Sequence, residues 1–122
     1  MNMIYAGDVY LCDFSHSAVG SMQTGLRPCV IVDNNMALAF SPCIHCVPIT
    51  SQHKEFKLHY QINIEEENGL SVTSTALCEQ YTLIDKSQLV RKLGHISKVD
   101  LIYIVELCKQ NFPFTKQHRK EW

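Results

Sequence analysis

The sequence predicts one mainly β domain, a small antiparallel barrel with a short internal helix and a C-terminal helix. The chain has 122 residues, of which 46% are apolar, enough for one hydrophobic core. Five or six short segments rich in β-branched and aromatic residues are separated by turn-forming residues. The strand–helix–strand alternation that builds parallel sheets is missing, which favours antiparallel pairing and closure into a barrel.

Apolar alternation and turn residues locate the individual strands. The predicted strands are, in order, Asp8–Phe14, Pro28–Asn34, Cys43–Thr50, Leu58–Ile64 and Ser74–Ile84, with a short sixth at His95–Ser97. Pro48 lies inside the third strand and predicts an edge position or a bulge there, because proline donates no ladder hydrogen bond. The "EEENG" stretch predicts a turn with Gly69 at positive φ.

Capping residues locate the helices. Asp85 is typical of an N-cap and predicts a helix over Lys86–Leu93 that Gly94 ends. Ser97 predicts the start of a terminal helix that extends to about Gln110. Four apolar residues at helical spacing should dock this helix on the sheet: Leu101, Ile104, Val105 and Cys108. We expect a folded domain over residues 1–112 and a C-terminal tail over residues 113–122.

Composition limits the functional classes. The formal net charge is −1, so any contact with nucleic acid must come from a local patch. The first residues have neither the charged segment nor the long apolar segment of a secretion signal, and no apolar run reaches membrane-spanning length. We expect a soluble cytoplasmic protein whose six cysteines are reduced, mostly buried and act as small apolar residues.

The "CIHC" stretch raises the question of a metal site. Cys43 and Cys46 are three residues apart on a predicted strand, so their side chains point to opposite faces and cannot share one ion. The sequence therefore predicts no metal and no cofactor. Among the scattered histidines, His59 is the candidate for a direct role, because it lies on a strand beside Tyr60 and Gln61.

The loop "SMQTGLRP" carries the strongest candidate for chemistry. Arg27 stands at the base of the second predicted strand, and Thr50 ends the third. If these strands are neighbours in the barrel, a guanidinium and a hydroxyl approach each other, with Gln23 above them. Such a group of donors is suited to holding a phosphate.

Four segments in this order resemble the MazF/PemK family of type II toxin–antitoxin toxins: "GDVYLCDF", "GSMQTGLRPCVIV", "SPCIHCVPIT" and "CEQYTLIDKSQL". The resemblance implies a dimeric SH3-like barrel and a metal-independent endoribonuclease. Such toxins cleave single-stranded mRNA at a short sequence and are neutralised by a cognate antitoxin. The ribose 2′-hydroxyl is the nucleophile, and the products are a 2′,3′-cyclic phosphate and a 5′-hydroxyl.

The resemblance also assigns residues. It implies that Arg27 and Thr50 are catalytic. It implies RNA contacts for six further residues: Ser21, Gln23, Ser51, Gln52, Glu79 and Gln80. A guanidinium stays protonated, so Arg27 is a poor general base, and His59 and Glu79 are the candidates for acid–base work. The alternative is a non-catalytic toxin of related fold that binds a protein such as DNA gyrase.

Overall fold

The computed structural model describes residues 3–15, 25–53 and 55–113. The strands in these ranges are β1 (Asp8–Asp13), β2 (Leu26–Ile31), β3 (Cys43–Thr50), β4 (His59–Ile62), β5 (Ser74–Leu77), β6 (Thr82–Asp85) and β7 (Leu89–His95). The α-helices are α1 (Asn35–Phe40) and α2 (Lys98–Lys109). Short 3₁₀ turns occupy Glu66–Asn68, Cys78–Gln80 and Lys86–Gln88. The predicted mainly β fold with two helices is confirmed.

The strands form one strongly curved antiparallel sheet in the order β4-β5-β3-β2-β1-β7. The strand β3 is central, because its first half also pairs with β6 and its last two residues pair with β5. The edge position expected from Pro48 is therefore wrong. Pro48 lies opposite Cys29 of β2, at the point where β3 passes from β6 to β5 on its other side. The missing N–H falls in an interval between two partners, which a central strand tolerates.

The sheet is covered on both faces, as the alternation along β3 shows. Ile44 and Cys46 pack in one cluster with Leu38 of α1, whereas Val47 and Ile49 pack in a second cluster under α2. All four of these β3 side chains are almost fully buried. The result is a barrel-like domain that matches the expected architecture. In the described ranges, neither helix has the length and apolar character needed to cross a bilayer.

The terminal helix starts where its cap predicts. The Ser97 Oγ accepts the Asp100 N–H at 3.1 Å, and α2 runs from the next residue to Lys109. Ile104 and Cys108 are buried against the sheet, as their spacing predicts. The connection after β2 forms α1, whose N-cap Asn34 accepts the Ala37 N–H at 2.9 Å.

The helix predicted over Lys86–Leu93 is wrong. Asp85 does cap a turn, accepting the Ser87 N–H at 2.8 Å, but this turn ends at Gln88 and the chain continues as β7. Pairing of β7 with β1 outweighs the local helical signal. Gly94 lies inside β7 and ends no helix. The strand expected at His95–Ser97 is only the last residue of β7 followed by the cap of α2.

Two strand boundaries also differ from expectation. The strand predicted over Ser74–Ile84 is broken by the 3₁₀ turn Cys78–Gln80, because its first half pairs with β4 and its second half with β3. The strand β2 begins at Leu26, two residues before the predicted start. Arg27, expected at the base of this strand, is therefore part of the strand and pairs with Cys12 of β1.

Candidate active site

The pairing of β2 with β3 brings the two central candidates to one place. Cys29 lies opposite Pro48, and Ile31 lies opposite Cys46. The paired residues end at Cys29 and Pro48, and extrapolating this register by two residues sets Arg27 opposite Thr50. Residues opposite each other in an antiparallel pair share a face of the sheet, so both side chains belong to the same face. The conditional prediction that strands two and three are neighbours is confirmed.

Thr50 is held firmly and is only 5% exposed. Its Oγ1 accepts the Gln52 N–H at 3.2 Å, which uses one lone pair of the hydroxyl. The O–H hydrogen has no acceptor among the described residues, so it can be donated to a substrate oxygen once the groups that cover Thr50 move. Arg27, in contrast, is exposed.

A cavity of about 410 Å³, here called the basic cavity, opens beside Arg27. Arg27 and Arg91 both line it, and Ser51, the residue after Thr50, contributes a hydroxyl. Further serines on its wall are Ser71 and Ser74. None of the described residues that line it is an aspartate or glutamate. The lining therefore offers cationic and hydroxyl donors, which suits an anion.

On the side of β3 away from β2, cross-strand pairs lead from Thr50 to β5 and β4. Thr50 pairs with Thr75 of β5, and Thr75 pairs with Gln61 of β4. Thr75, Gln61 and His59 line a second cavity of about 290 Å³, here called the histidine cavity. Phe56 is a further wall of this cavity and contacts the His59 ring edge-on, with ring centroids 5.2 Å apart. Thr50 itself lines neither cavity, but Ser51 next to it lines the basic cavity and its partner Thr75 lines the histidine cavity.

His59 and Glu79, the two acid–base candidates, form a pair. The His59 Nε2 lies 2.8 Å from the Glu79 Oε2, and the side chains are 8% and 30% exposed. A carboxylate on Nε2 favours the tautomer that carries its proton there, which makes Nδ1 the basic nitrogen. His59 lies two strands and two residues from Thr50, so the two Cα atoms are roughly 12 Å apart.

A row of buried thiols lies on the same sheet face as Arg27. Cys12 pairs with Arg27 across β1 and β2, and it contacts Cys29 and Cys46 in the core. Hydrogen bonding with the Cys12 and Cys46 thiols, together with burial, raises the pKa of the Cys29 thiol, so it stays protonated at neutral pH. All six cysteines are free, and all but Cys43 are buried, as expected.

The side chains of the "CIHC" stretch pack against other parts of the domain. His45 stacks on Tyr81 with ring centroids 5.2 Å apart, and its Nδ1 lies 2.7 Å from an Asp33 carboxylate oxygen. Cys46 faces the opposite core cluster. In the described parts of the chain, no three His, Cys, Asp or Glu side chains are grouped as metal ligands.

The remaining predicted residues fall into two groups. Ser51 and Gln52 are exposed immediately after Thr50, and Gln80 follows Glu79 in the 3₁₀ turn Cys78–Gln80. Ser21 and Gln23 lie outside the described residues. Sequence reasoning missed Thr75 and Arg91, because only the strand pairing brings them to the site.

Comparisons with known proteins decide the family. Residues 5–111 match the model of the PemK-like, MazF-like toxin of type II toxin–antitoxin system. The chain belongs to this toxin family. It is 36% identical over 116 residues to the endoribonuclease EndoA of Bacillus subtilis, an alignment that covers 90% of this chain and 99% of that protein. The resemblance read from the sequence motifs is confirmed.

Solved structures show that the fold is that of MazF. MazF of Deinococcus radiodurans matches with a TM-score of 0.78 at 17% identity, covering 90% of this chain and 96% of the other. A mycobacterial endoribonuclease in complex with its cognate antitoxin matches with a TM-score of 0.73 at 18% identity, covering 92% and 99%. At such identities the likeness establishes the fold alone.

Proposed function

We propose that this PemK/MazF-like chain is an endoribonuclease toxin that cleaves single-stranded mRNA at a short sequence without a metal ion. The observation that supports the proposal is the β2–β3 register, which, extrapolated by two residues, sets Arg27 opposite Thr50, with Arg27 lining the basic cavity. The 36% identity to an endoribonuclease supports the same activity. Because its substrate is mRNA, the toxin acts in the cytoplasm.

The reaction needs charge stabilisation on the phosphate. The ribose 2′-oxygen attacks phosphorus, the bond from phosphorus to the 5′-oxygen breaks, and the products are a 2′,3′-cyclic phosphate and a 5′-hydroxyl. Negative charge grows on the non-bridging oxygens as the attacking oxygen adds. The fork of Arg27 donors matches two of these oxygens, and the Thr50 hydroxyl donates a third hydrogen bond. Donors that are satisfied fully only in the transition state raise turnover.

Proton transfer requires a base for the 2′-hydroxyl and an acid for the departing 5′-oxygen. His59, oriented by Glu79, supplies the base. Its distance from Thr50 requires that the reacting ribose lies between the two, over Thr75. The exposed guanidinium of Arg27 donates a hydrogen bond, and transiently a proton, to the 5′-oxygen as it departs.

RNA binding involves a local rearrangement. Thr50 is 5% exposed, so a phosphate reaches its hydroxyl only after the groups that cover it move. We assign RNA contacts to Ser51, Gln52, Glu79 and Gln80, and the family resemblance adds Ser21 and Gln23, which lie outside the described residues.

Two protein partners complete the proposal. A mycobacterial endoribonuclease of the same fold forms a complex with its cognate antitoxin. By analogy, a cognate antitoxin neutralises this toxin. Its active form is a homodimer, as the family resemblance implies.

Cleavage of one long transcript tests this function. The purified toxin is incubated with single-stranded RNA, the cut sites are mapped by primer extension, and the ends are analysed chemically. We expect discrete cuts with cyclic phosphate and 5′-hydroxyl ends, and no cuts with Arg27→Ala. If the RNA stays intact and the same preparation inhibits DNA gyrase, the nuclease proposal is wrong and the protein-binding alternative is supported.

A further inference from the structure

Arg91 is a cation that the proposed chemistry does not use. It lies on β7 opposite Leu11 of β1, and Leu11 lies opposite Pro28 of β2. Arg91 therefore stands two strands away from the segment that carries Arg27, a separation of about 10 Å. Both arginines nevertheless line the basic cavity.

The side chain of Arg91 is not neutralised within the fold. Its guanidinium has neither a hydrogen bond nor an ion pair with any described residue, and the residue is exposed. Two other cations of the domain differ in this respect. The Lys92 Nζ lies 3.3 Å from an Asp8 carboxylate oxygen, and the Lys109 Nζ lies 2.9 Å from Glu106.

The chemistry of the basic cavity indicates its ligand. Ser51, Ser71 and Ser74 line the cavity together with the two arginines, and the described lining contains no carboxylate. The Ser74 hydroxyl donates to the Val72 carbonyl oxygen at 2.9 Å, so Ser51 and Ser71 are the serines considered as donors to a ligand. A lining that combines cationic side chains with hydroxyl groups favours an anion with several oxygens. Ser51 directly follows Thr50 in the chain and lines the cavity.

We propose that Arg91 binds a second phosphate of the substrate RNA, one that flanks the scissile phosphate, and so fixes the direction in which the strand crosses the site. The inference rests on the proposed ribonuclease function and extends it. Arg91 is a substrate-binding residue rather than a catalytic one, since its contact is the same in the ground state and the transition state. Its loss should raise KM and leave kcat unchanged.

The test compares Arg91→Gln with Lys98→Gln in the full chain. Both variants remove one positive charge, but Lys98 is an exposed residue at the start of α2 that does not line the basic cavity. The ligand is an RNA that spans a mapped cut site and carries a 2′-deoxy nucleotide there, so that it binds but cannot react. Affinity is measured across a range of salt concentrations.

We expect Arg91→Gln to weaken binding about 10-fold, the usual scale for one charge-assisted contact. The slope of log affinity against log salt should fall by about 0.7, as for one lost phosphate contact on a single strand. Lys98→Gln should retain the wild-type slope. In a scan of single methylphosphonate linkages, one flanking position should weaken wild-type binding and have no effect on Arg91→Gln.

Several results would overturn the inference. If Arg91→Gln has the same slope of log affinity against log salt as the wild type or as Lys98→Gln, Arg91 does not contact a phosphate. Unchanged RNA binding with weakened binding of the antitoxin assigns the basic cavity to an acidic protein segment instead. The ribonuclease function is checked separately with Arg27→Ala. If Arg27→Ala still cleaves RNA, the nuclease assignment fails. If Arg27→Ala is inactive but Arg91→Gln behaves as wild type, only the inference about Arg91 fails.

Discussion

Gly94 offers a sharp test of how the wall of the basic cavity is built. A Cβ atom added to Gly94 would lie 2.1 Å from the Glu67 carbonyl oxygen and 2.8 Å from the Asn68 carbonyl carbon. Ordinary contacts of this kind are 3.4 Å or longer, so the backbone of the 3₁₀ turn Glu66–Asn68 must move by more than 1 Å. Asn68 is buried and its Oδ1 accepts the Leu70 N–H at 3.1 Å, so the turn cannot shift independently.

Gly94→Ala should therefore lower the free energy of unfolding by about 3 kcal/mol, the upper end for overpacking. Urea titration measures this value directly, and the melting temperature should fall by roughly 10 °C. The displaced turn continues into Gly69 and Leu70, which line the basic cavity, so KM for RNA should also rise.

Gly7→Ala is the matched control for the Gly94 prediction. Gly7 has φ 90°, but a Cβ there would meet its nearest atom at an ordinary 3.5 Å. Only backbone strain of about 1–2 kcal/mol is expected. If Gly94→Ala costs no more than Gly7→Ala, the close approach of β7 to this turn is not what limits residue 94 to glycine.

Three further predictions concern protons and metals. Burial and the hydrogen bond to Asp100 raise the pKa of Tyr60. The protonated phenol therefore stabilises the fold fully below about pH 10, and this stabilisation is lost as the pH rises further. Tyr60→Phe should cost about 1 kcal/mol at neutral pH and flatten the alkaline decline in urea midpoints; an unchanged decline would place its cause elsewhere. His59→Gln should reduce kcat by roughly 10²-fold or more, whereas a wild-type kcat would exclude His59 as the base. EDTA should leave cleavage unchanged, and loss of activity that zinc or magnesium restores would revive a metal mechanism.

Local signals predicted those elements that local interactions decide. The bounds of β3 follow from apolar alternation between turn residues, and the start of α2 follows from the Ser97 hydroxyl that caps it. The helix expected over Lys86–Leu93 failed because its apolar residues suit either structure, and only the distant partner β1 selects a strand. The break at Cys78–Gln80 was missed for the same reason, since β4 and β3 compete for the two halves of one apolar run.

The candidate site was predictable only in part. Arg27 and Thr50 were found from their residue types at strand ends, and their approach required the β2–β3 pairing, which the sequence left conditional. The pairing of His59 with Glu79 depends on a 3₁₀ turn that no local pattern indicated. Arg91 carries no motif at all, and it enters the site only because β7 closes beside β1.

Single-turnover cleavage by Arg27→Gln, Thr50→Val and the double variant tests the central assignment most directly. Both substitutions keep most of the side-chain volume and remove the cation or the hydroxyl donor. We predict that each single variant loses at least roughly 100-fold in rate, the scale of one lost transition-state donor. The fold-loss in rate of the double variant should be much smaller than the product of the two single fold-losses, because both donors hold one phosphate. A wild-type rate for either single variant, with the fold intact, would contradict the account.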